Sequence, residues 1–281
     1  MSNTFFDQLD LSFKPSTTST PKELSQSQIS HYNQQGYISP LDIYSPQEAD
    51  RNRKYFDFLM EELKRVSPDA DSYAINGYHT CCQGLWDIVN HPLILDYVED
   101  LIGPNVICWG THFFCKVPHD PKSVPWHQDA SYWPLTPSRT TTVWLAIDDA
   151  DEENSAMQFI PGTHRKGHLK WKDSKTPSVL NQEITNIDTY GTPVTNTLKA
   201  GQMSLHADML AHGSTPNHSD RRRCGLTIRY CPPEVTPLKK NWAEQGILCR
   251  GRDITGNWAH NGRPESDDVS AKVKRAAIGA N

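Results

Sequence analysis

The chain has 281 residues, 36% hydrophobic and 22% charged, with 28 Lys and Arg against 33 Asp and Glu and a formal net charge of −5. The mean hydropathy is −0.64. No run of about 18 apolar residues occurs, so no membrane-spanning helix is expected. Mild acidity speaks against a nucleic-acid partner, which requires a basic surface. Eight Trp, twelve His and twenty Pro point to a strand- and loop-rich fold, and the surplus of His makes a metal site worth seeking.

The first residues, MSNTFFDQLDLSF, carry neither a basic stretch nor an apolar run, so no secretory signal is expected and the protein is read as cytoplasmic. Residues 14–22, KPSTTSTPK, are rich in Ser, Thr and Pro. Residues 1–25 are therefore expected to be a flexible arm, followed by a single domain over 26–281. The seven Cys include no C-x-x-C pair, and adjacent Cys81 and Cys82 would strain a mutual bridge. Reduced, mostly buried thiols follow.

Ser45-Pro46-Gln47-Glu48 reads as a helix start, with Ser at the cap and Glu three residues on. Tyr55, Phe56, Leu59 and Leu63 keep helical spacing up to about Arg65. Pro92 opens another helix, with Leu95, Val98, Leu101 and Ile102 on one face, ended by Gly103-Pro104. The period then changes to two. Strands are expected at Val106 to Lys116, Thr140 to Asp148, Met203 to His206, Leu210 to Ser214 and Arg223 to Tyr230. Turn clusters at 151–154, 161–163 and 216–220 separate them. Helices first and strands after, with no linker, predict one α+β domain with a mainly β core, an antiparallel sandwich or jelly roll.

Within Pro125-Trp126-His127-Gln128-Asp129, a strand would put His127 and Asp129 on the same face. Two His and one carboxylate hold a metal by one face of its coordination sphere, the arrangement of non-haem Fe(II) oxygenases. The residues alone leave His164, His206, His212 and His218 as candidates for the other His.

The run LAHGSTPNHSDRRRCGLTIRY, with His127-Gln128-Asp129 upstream, IPGTH between and HPLILDYVEDLIGPN before the first core strand, resembles the phytanoyl-CoA dioxygenase family. The likeness covers roughly residues 30–255. It implies a double-stranded β-helix (cupin-like jelly roll) with flanking helices, Fe(II) as cofactor, and 2-oxoglutarate and O2 as co-substrates. It also implies an enzyme that hydroxylates a C–H bond of a small molecule and releases succinate and CO2. In the family an H-G-S run is followed eleven residues later by a co-substrate Arg. His212-Gly213-Ser214 and Arg223 match both, which makes His127, Asp129 and His212 the implied metal ligands. His206 has Asn217 at that offset. His218 has Arg229 there but lies in a turn, and His164 follows Pro-Gly. His206 is read as a packed or hydrogen-bonded neighbour of the metal.

Chelation of iron by 2-oxoglutarate leaves its far carboxylate in need of a buried cation, and a guanidinium matches a carboxylate with two bonds. Arg223 takes that role, Ser214 donates a hydroxyl, and Trp144 walls the pocket by the same resemblance. Arg223 shares strand parity with Gly225, Thr227 and Arg229. His112 and Trp133 match substrate-pocket positions, and Arg229 faces either an acidic substrate or Asp148. Arg250 is read as solvated and Tyr132 as structural. Halogenating members lack the carboxylate that Asp129 supplies here, which favours hydroxylation. A zinc hydrolase shares the ligand types, but it gives Arg223 and Ser214 no role. A non-catalytic metal-binding jelly roll would not require the full set. The substrate's identity and the oligomeric state are not encoded in any motif.

Overall fold

The computed structural model describes residues 9–175 and 177–273. The helices among the described residues include α1 (Gln26–Gln35), α2 (Pro46–Val66), α3 (Gln83–Val89), α4 (Pro92–Ile102) and the short α5 (Lys240–Ala243). The strands are β1 (Tyr37–Asp42), β2 (Val106–Lys116), β3 (Val124–His127), β4 (Leu135–Thr136), β5 (Thr141–Ala146), β6 (Gln158–Phe159), β7 (Trp171–Asp173), β8 (Gln182–Ile184), β9 (Val194–Thr195), β10 (Gln202–Ala207), β11 (His212–Ser214), β12 (Arg223–Cys231), β13 (Thr236–Pro237) and β14 (Ile247–Arg250). Antiparallel pairing gives a six-stranded sheet, in the order β1-β10-β5-β12-β2-β14, and a four-stranded sheet, β3-β11-β6-β9. Two small two-stranded sheets, β13-β4 and β7-β8, complete the strand pairing described. The fold is thus α+β with antiparallel sheets.

The local signals explain the elements. Ser45 caps α2 and Glu48 returns a bond to the Ser45 amide at 2.8 Å. α1 carries the same box, Ser25 with Gln28, but its buried side is only Ile29 and Tyr32, too few residues to read as a periodic face. Strand β5 is shorter than its alternating pattern. The Thr140 amide bonds to the Asp208 carboxylate at 3.0 Å, and Ile147 and Asp148 both donate to the Cys224 carbonyl, so the ladder stops.

Period two sorts the six-stranded sheet into two faces. Val143, Leu145, Leu205, Leu226 and Ile228 pack against Phe56, Leu59, Leu63 and Val98 of the helices in the main core. The opposite face meets the four-stranded sheet, where Tyr37 stacks on Phe159 (centroids 4.8 Å) and Trp144 packs with Phe159 and Met157. His206, Arg223 and Arg229 of the site come from this second face, whereas His127 and His212 stand on the four-stranded sheet.

Residues 9–24 form neither helix nor strand, yet they are seated. The Asp100 carboxylate accepts from the amides of Lys22, Glu23 and Leu24 at 2.7–2.9 Å, and the Phe13 ring packs edge-on against His164. Over its described length the expected flexible arm is held on the domain by these contacts. Six of the seven free cysteines are buried and Cys249 is half-buried. Among the described residues no helix is long and apolar enough to cross a membrane.

Candidate active site

Strands β3 and β11 are neighbours, and His127 lies directly opposite His212 in their register. A cross-strand pair holds side chains together, and the two rings sit 4.1 Å apart. Gly213 makes this approach feasible: a Cβ there would lie 2.9 Å from the Val124 carbonyl oxygen and 3.1 Å from the Trp126 nitrogen. The strand reading of His127-Gln128-Asp129 needs correction. β3 ends at His127 and Asp129 begins a 3-10 turn over Asp129–Ser131. Gln128 alone stays extended, at φ −110° and ψ 127°. Its buried amide donates to the carbonyls of Gly167 and Met209 and accepts from the Leu169 amide, fixing the turn.

His127, Asp129 and His212 offer ligand atoms all within 4.8 Å of one another. His127 Nδ1 bonds the Pro125 carbonyl at 2.8 Å and His212 Nδ1 bonds the Leu210 carbonyl at 2.9 Å. A carbonyl only accepts, so Nδ1 of each ring donates, which leaves Nε2 as the atom that can offer a lone pair to a metal. The two Nε2 atoms lie 3.6 and 4.0 Å from Asp129 Oδ1. Two imidazoles and one carboxylate converging in this way suit a divalent metal. Burial opposes ionisation of Asp129, but its contacts with His127 and His206 and the proximity of His212 and Arg229 hold its carboxyl well below the usual range. Burial and the neighbouring His127 hold His212 neutral.

Asp129 Oδ2 faces a row across the six-stranded sheet, in which Thr142 has His206 opposite it on one side and Arg229 on the other. The Thr142 hydroxyl donates to Oδ2 at 3.2 Å. His206 Nε2 lies 3.7 Å from Oδ2, and among the described residues neither of its ring nitrogens has a hydrogen-bond partner. His206 therefore packs beside the cluster without the expected hydrogen bond. His218 is exposed and His164 bonds the Asn33 carbonyl at 3.2 Å, so neither joins the cluster. Sequence reasoning missed Thr142, although it shares strand parity with Trp144.

Arg223 is 2% exposed. Its Nε donates to the Ser155 carbonyl and its Nη2 to Ser214 Oγ, both at 3.1 Å. The guanidinium sits 5.6 Å from the centre of the Trp144 ring. Gly225 lets that indole cross β12, because a Cβ there would be 2.0 Å from Trp144 Cζ2. Arg223, Ser214, Trp144, Phe114, Met157 and the three converging side chains line one inner chamber. Lys116, unassigned from sequence, is buried next to it and donates to the carbonyls of Thr215, Ser214 and Lys122.

An outer cavity of about 700 Å³ opens onto His127 and Asp129 and is lined by His112, Trp133 and Arg229. Tyr132 lines it as well, while its hydroxyl accepts the Gln182 amide at 2.8 Å. His112 bonds the Tyr73 carbonyl at 2.8 Å. Burial and the nearby Arg229 push its imidazole down to about 3, so it is neutral. Two arginine readings resolve. Asp148 is taken by Arg53 and Arg222, both at contact distance, so it is not Arg229's partner. Arg250 pairs with Asp96 and Glu99, away from the cavity. Trp109, Trp242, Asn76, Gln245 and Lys272 also line it. They come from distant chain positions and left no local signal.

This fold and site define an enzyme of the iron- and 2-oxoglutarate-dependent dioxygenase class, and comparison with known proteins agrees. The family model described as Phytanoyl-CoA dioxygenase (PhyH) matches residues 32–225, and the chain belongs to that family. A probable alpha-ketoglutarate-dependent hypophosphite dioxygenase of Stutzerimonas stutzeri is 28% identical over 232 residues, 74% of this chain and 78% of that protein. The peroxisomal phytanoyl-CoA dioxygenase of Rattus norvegicus is 26% identical over 252 residues, 81% and 74% of the two chains. Among solved structures, the apo form of the non-heme monooxygenase ThoJ superposes with a TM-score of 0.75 at 30% identity, covering 89% of this chain and 94% of that one.

Proposed function

We propose that the chain hydroxylates an unactivated C–H bond of a small polar molecule, using Fe(II), 2-oxoglutarate and O2 and releasing succinate and CO2. In this reading the two facing sheets are a double-stranded β-helix. His127, Asp129 and His212 hold the iron, with Nδ1 of each imidazole locked on a backbone carbonyl. The iron, when bound, supplies the oxidising chemistry. Thr142 orients the carboxylate of Asp129 through its bond to Oδ2. Arg223 and Ser214 bind the far carboxylate of 2-oxoglutarate, and Trp144 forms the wall beside it.

The observation that carries the reading is Arg223. A cation buried this deeply is costly unless an anion meets it. Among the described residues it makes no ion pair, and it shares a chamber with the three converging ligands. Asp129 occupies the carboxylate position whose loss accompanies halogenation, which supports hydroxylation. The substrate named for the Stutzerimonas relative, hypophosphite, is small and polar, and the outer cavity suits a molecule of that class.

Anaerobic addition of 2-oxoglutarate to the Fe(II)-loaded protein should give a visible charge-transfer band, and O2 should then yield succinate, faster with a suitable substrate. A protein that binds iron yet gives neither band nor succinate refutes the proposal.

A further inference from the structure

Arg229 projects from β12 into the outer cavity, on the route to His127 and Asp129. Its guanidinium carbon lies 5.6 Å from the ring centre of Trp109 and 5.3 Å from that of Trp133. These faces hold the group in place. The residue opposite it on β2 is Gly110, so no side chain covers it from there. Its Nε is buried with no hydrogen-bond partner, and among the described residues Arg229 forms no ion pair. By contrast, the nearby Arg221 and Arg222 are each matched to two acidic residues.

The cavity lining is electrostatically one-sided. Asp129 is its single acidic side chain among the described residues, and it belongs to the metal cluster. Arg229 and Lys272 supply positive charge, and Asn76 and Gln245 are neutral. Trp109, Trp133, Tyr132 and Trp242 give it apolar walls. A desolvated guanidinium in such a wall is stabilised by an anion far better than by a neutral carbonyl. Its planar fork matches an oxyanion with two parallel bonds.

We infer that the molecule oxidised here carries an oxyanion, a carboxylate or a phosphonate, that docks on Arg229 between Trp109 and Trp133. This anchor leaves the rest of the molecule to extend toward His127 and Asp129. The volume of about 700 Å³ limits it to a compact metabolite. The inference rests on the oxygenase reading, whose iron and 2-oxoglutarate functions are carried by other residues.

The test uses nickel-loaded protein with saturating 2-oxoglutarate, so that Arg223 is already engaged. Propionate, propylphosphonate and the neutral propionamide are titrated while tryptophan fluorescence is followed, because Trp109 and Trp133 flank the site. Both oxyanions, or one of them, should bind saturably, and propionamide about tenfold or more weakly. Arg229→Gln should lose that preference, and Arg229→Lys, which keeps charge without the fork, should fall between. The stronger oxyanion identifies the acid class. Oxyanions that bind the parent no better than propionamide, or bind Arg229→Gln equally well, overturn the inference. If Arg229→Gln does not fold, the acid-against-amide comparison on the parent decides alone. The Fe(II)-loaded protein is examined alongside: a normal 2-oxoglutarate band there, with no anion preference in the nickel form, refutes only this anchor, whereas absence of both band and succinate refutes the oxygenase reading.

Discussion

Gly213→Ala tests whether the approach of β3 and β11 sets the metal site. The new Cβ would meet the Val124 oxygen at 2.9 Å, the Trp126 nitrogen at 3.1 Å and the Trp126 Cα at 3.2 Å. All three are backbone atoms, so no side chain can swing away. Ordinary contact begins at 3.4 Å, so the strands must part by about 0.5 Å. That displacement equals the tolerance of about 0.5 Å within which a functional constellation works. It acts on the register that pairs His127 with His212. Overpacking of this kind costs about 1–3 kcal/mol. In metal-free protein the strands relax apart, and metal binding must pull them together again, so the cost divides between stability and affinity. A fall in Tm of about 2–10 °C is the upper range if stability takes all of it. A loss of about 5- to 150-fold in Ni(II) affinity is the range if binding does. Calorimetric titration with Ni(II) and a thermal melt measure both. Gly262→Ala, where a Cβ meets nothing within 4 Å, is the control and should change neither. If Gly213→Ala keeps the parent's Tm and Ni(II) affinity, the reasoning fails.

Gly225→Ala puts a Cβ 2.0 Å from Trp144 Cζ2, so the indole must leave its place over β12. Near-ultraviolet circular dichroism should change and 2-oxoglutarate affinity should fall while Ni(II) affinity holds; an unchanged spectrum would contradict the packing. Arg223→Gln removes two charge-assisted bonds worth about 1.5–3 kcal/mol each, so 2-oxoglutarate affinity should drop about a hundredfold or more. Metal affinity should stay within about threefold of the parent, and an equal loss of both would refute the division of labour. The fourth prediction concerns Asp208, whose carboxyl is pushed up to about 7 by burial, against bonds from Ser138 and Thr140. The folded state then binds more protons than the unfolded chain between an ordinary carboxylate value and about 7, so this group's contribution to stability falls as pH rises through that window. Denaturant melts of Asp208→Asn and parent at pH 4 to 7 should diverge, with the parent losing the more; parallel curves would refute it.

The local chemistry was legible in the chain. Ser45 with Glu48, Pro92 and the Gly103 stop mark two helices, and the strand expected at Val106 to Lys116 matches β2 at both ends. Alternation placed Arg223, Thr227 and Arg229 on one face and Leu226 and Ile228 on the other, and the site and main core divide them in the same way. Such signals survive because a capping box spans four residues and a strand repeats every two. Where tertiary bonds replaced the ladder, local reading overran, as at Thr140, whose amide goes to Asp208.

What the sequence by itself determined is an inventory and part of its parity: His127 and Asp129 as metal-ligand types, four candidates for the other His of which the family resemblance implies His212, and Arg223 as a carboxylate-binding type on a definable side of its strand. Only the tertiary structure decided their partners. It set His127 opposite His212, turned Asp129 out of the strand toward Thr142, and left His206 beside the cluster. It gave Asp148 to Arg53 and Arg222, and it left Arg229 facing a cavity between two tryptophans. The physical reason is that register, burial and ion pairing join residues remote in the chain, so their energies depend on neighbours that no local pattern names.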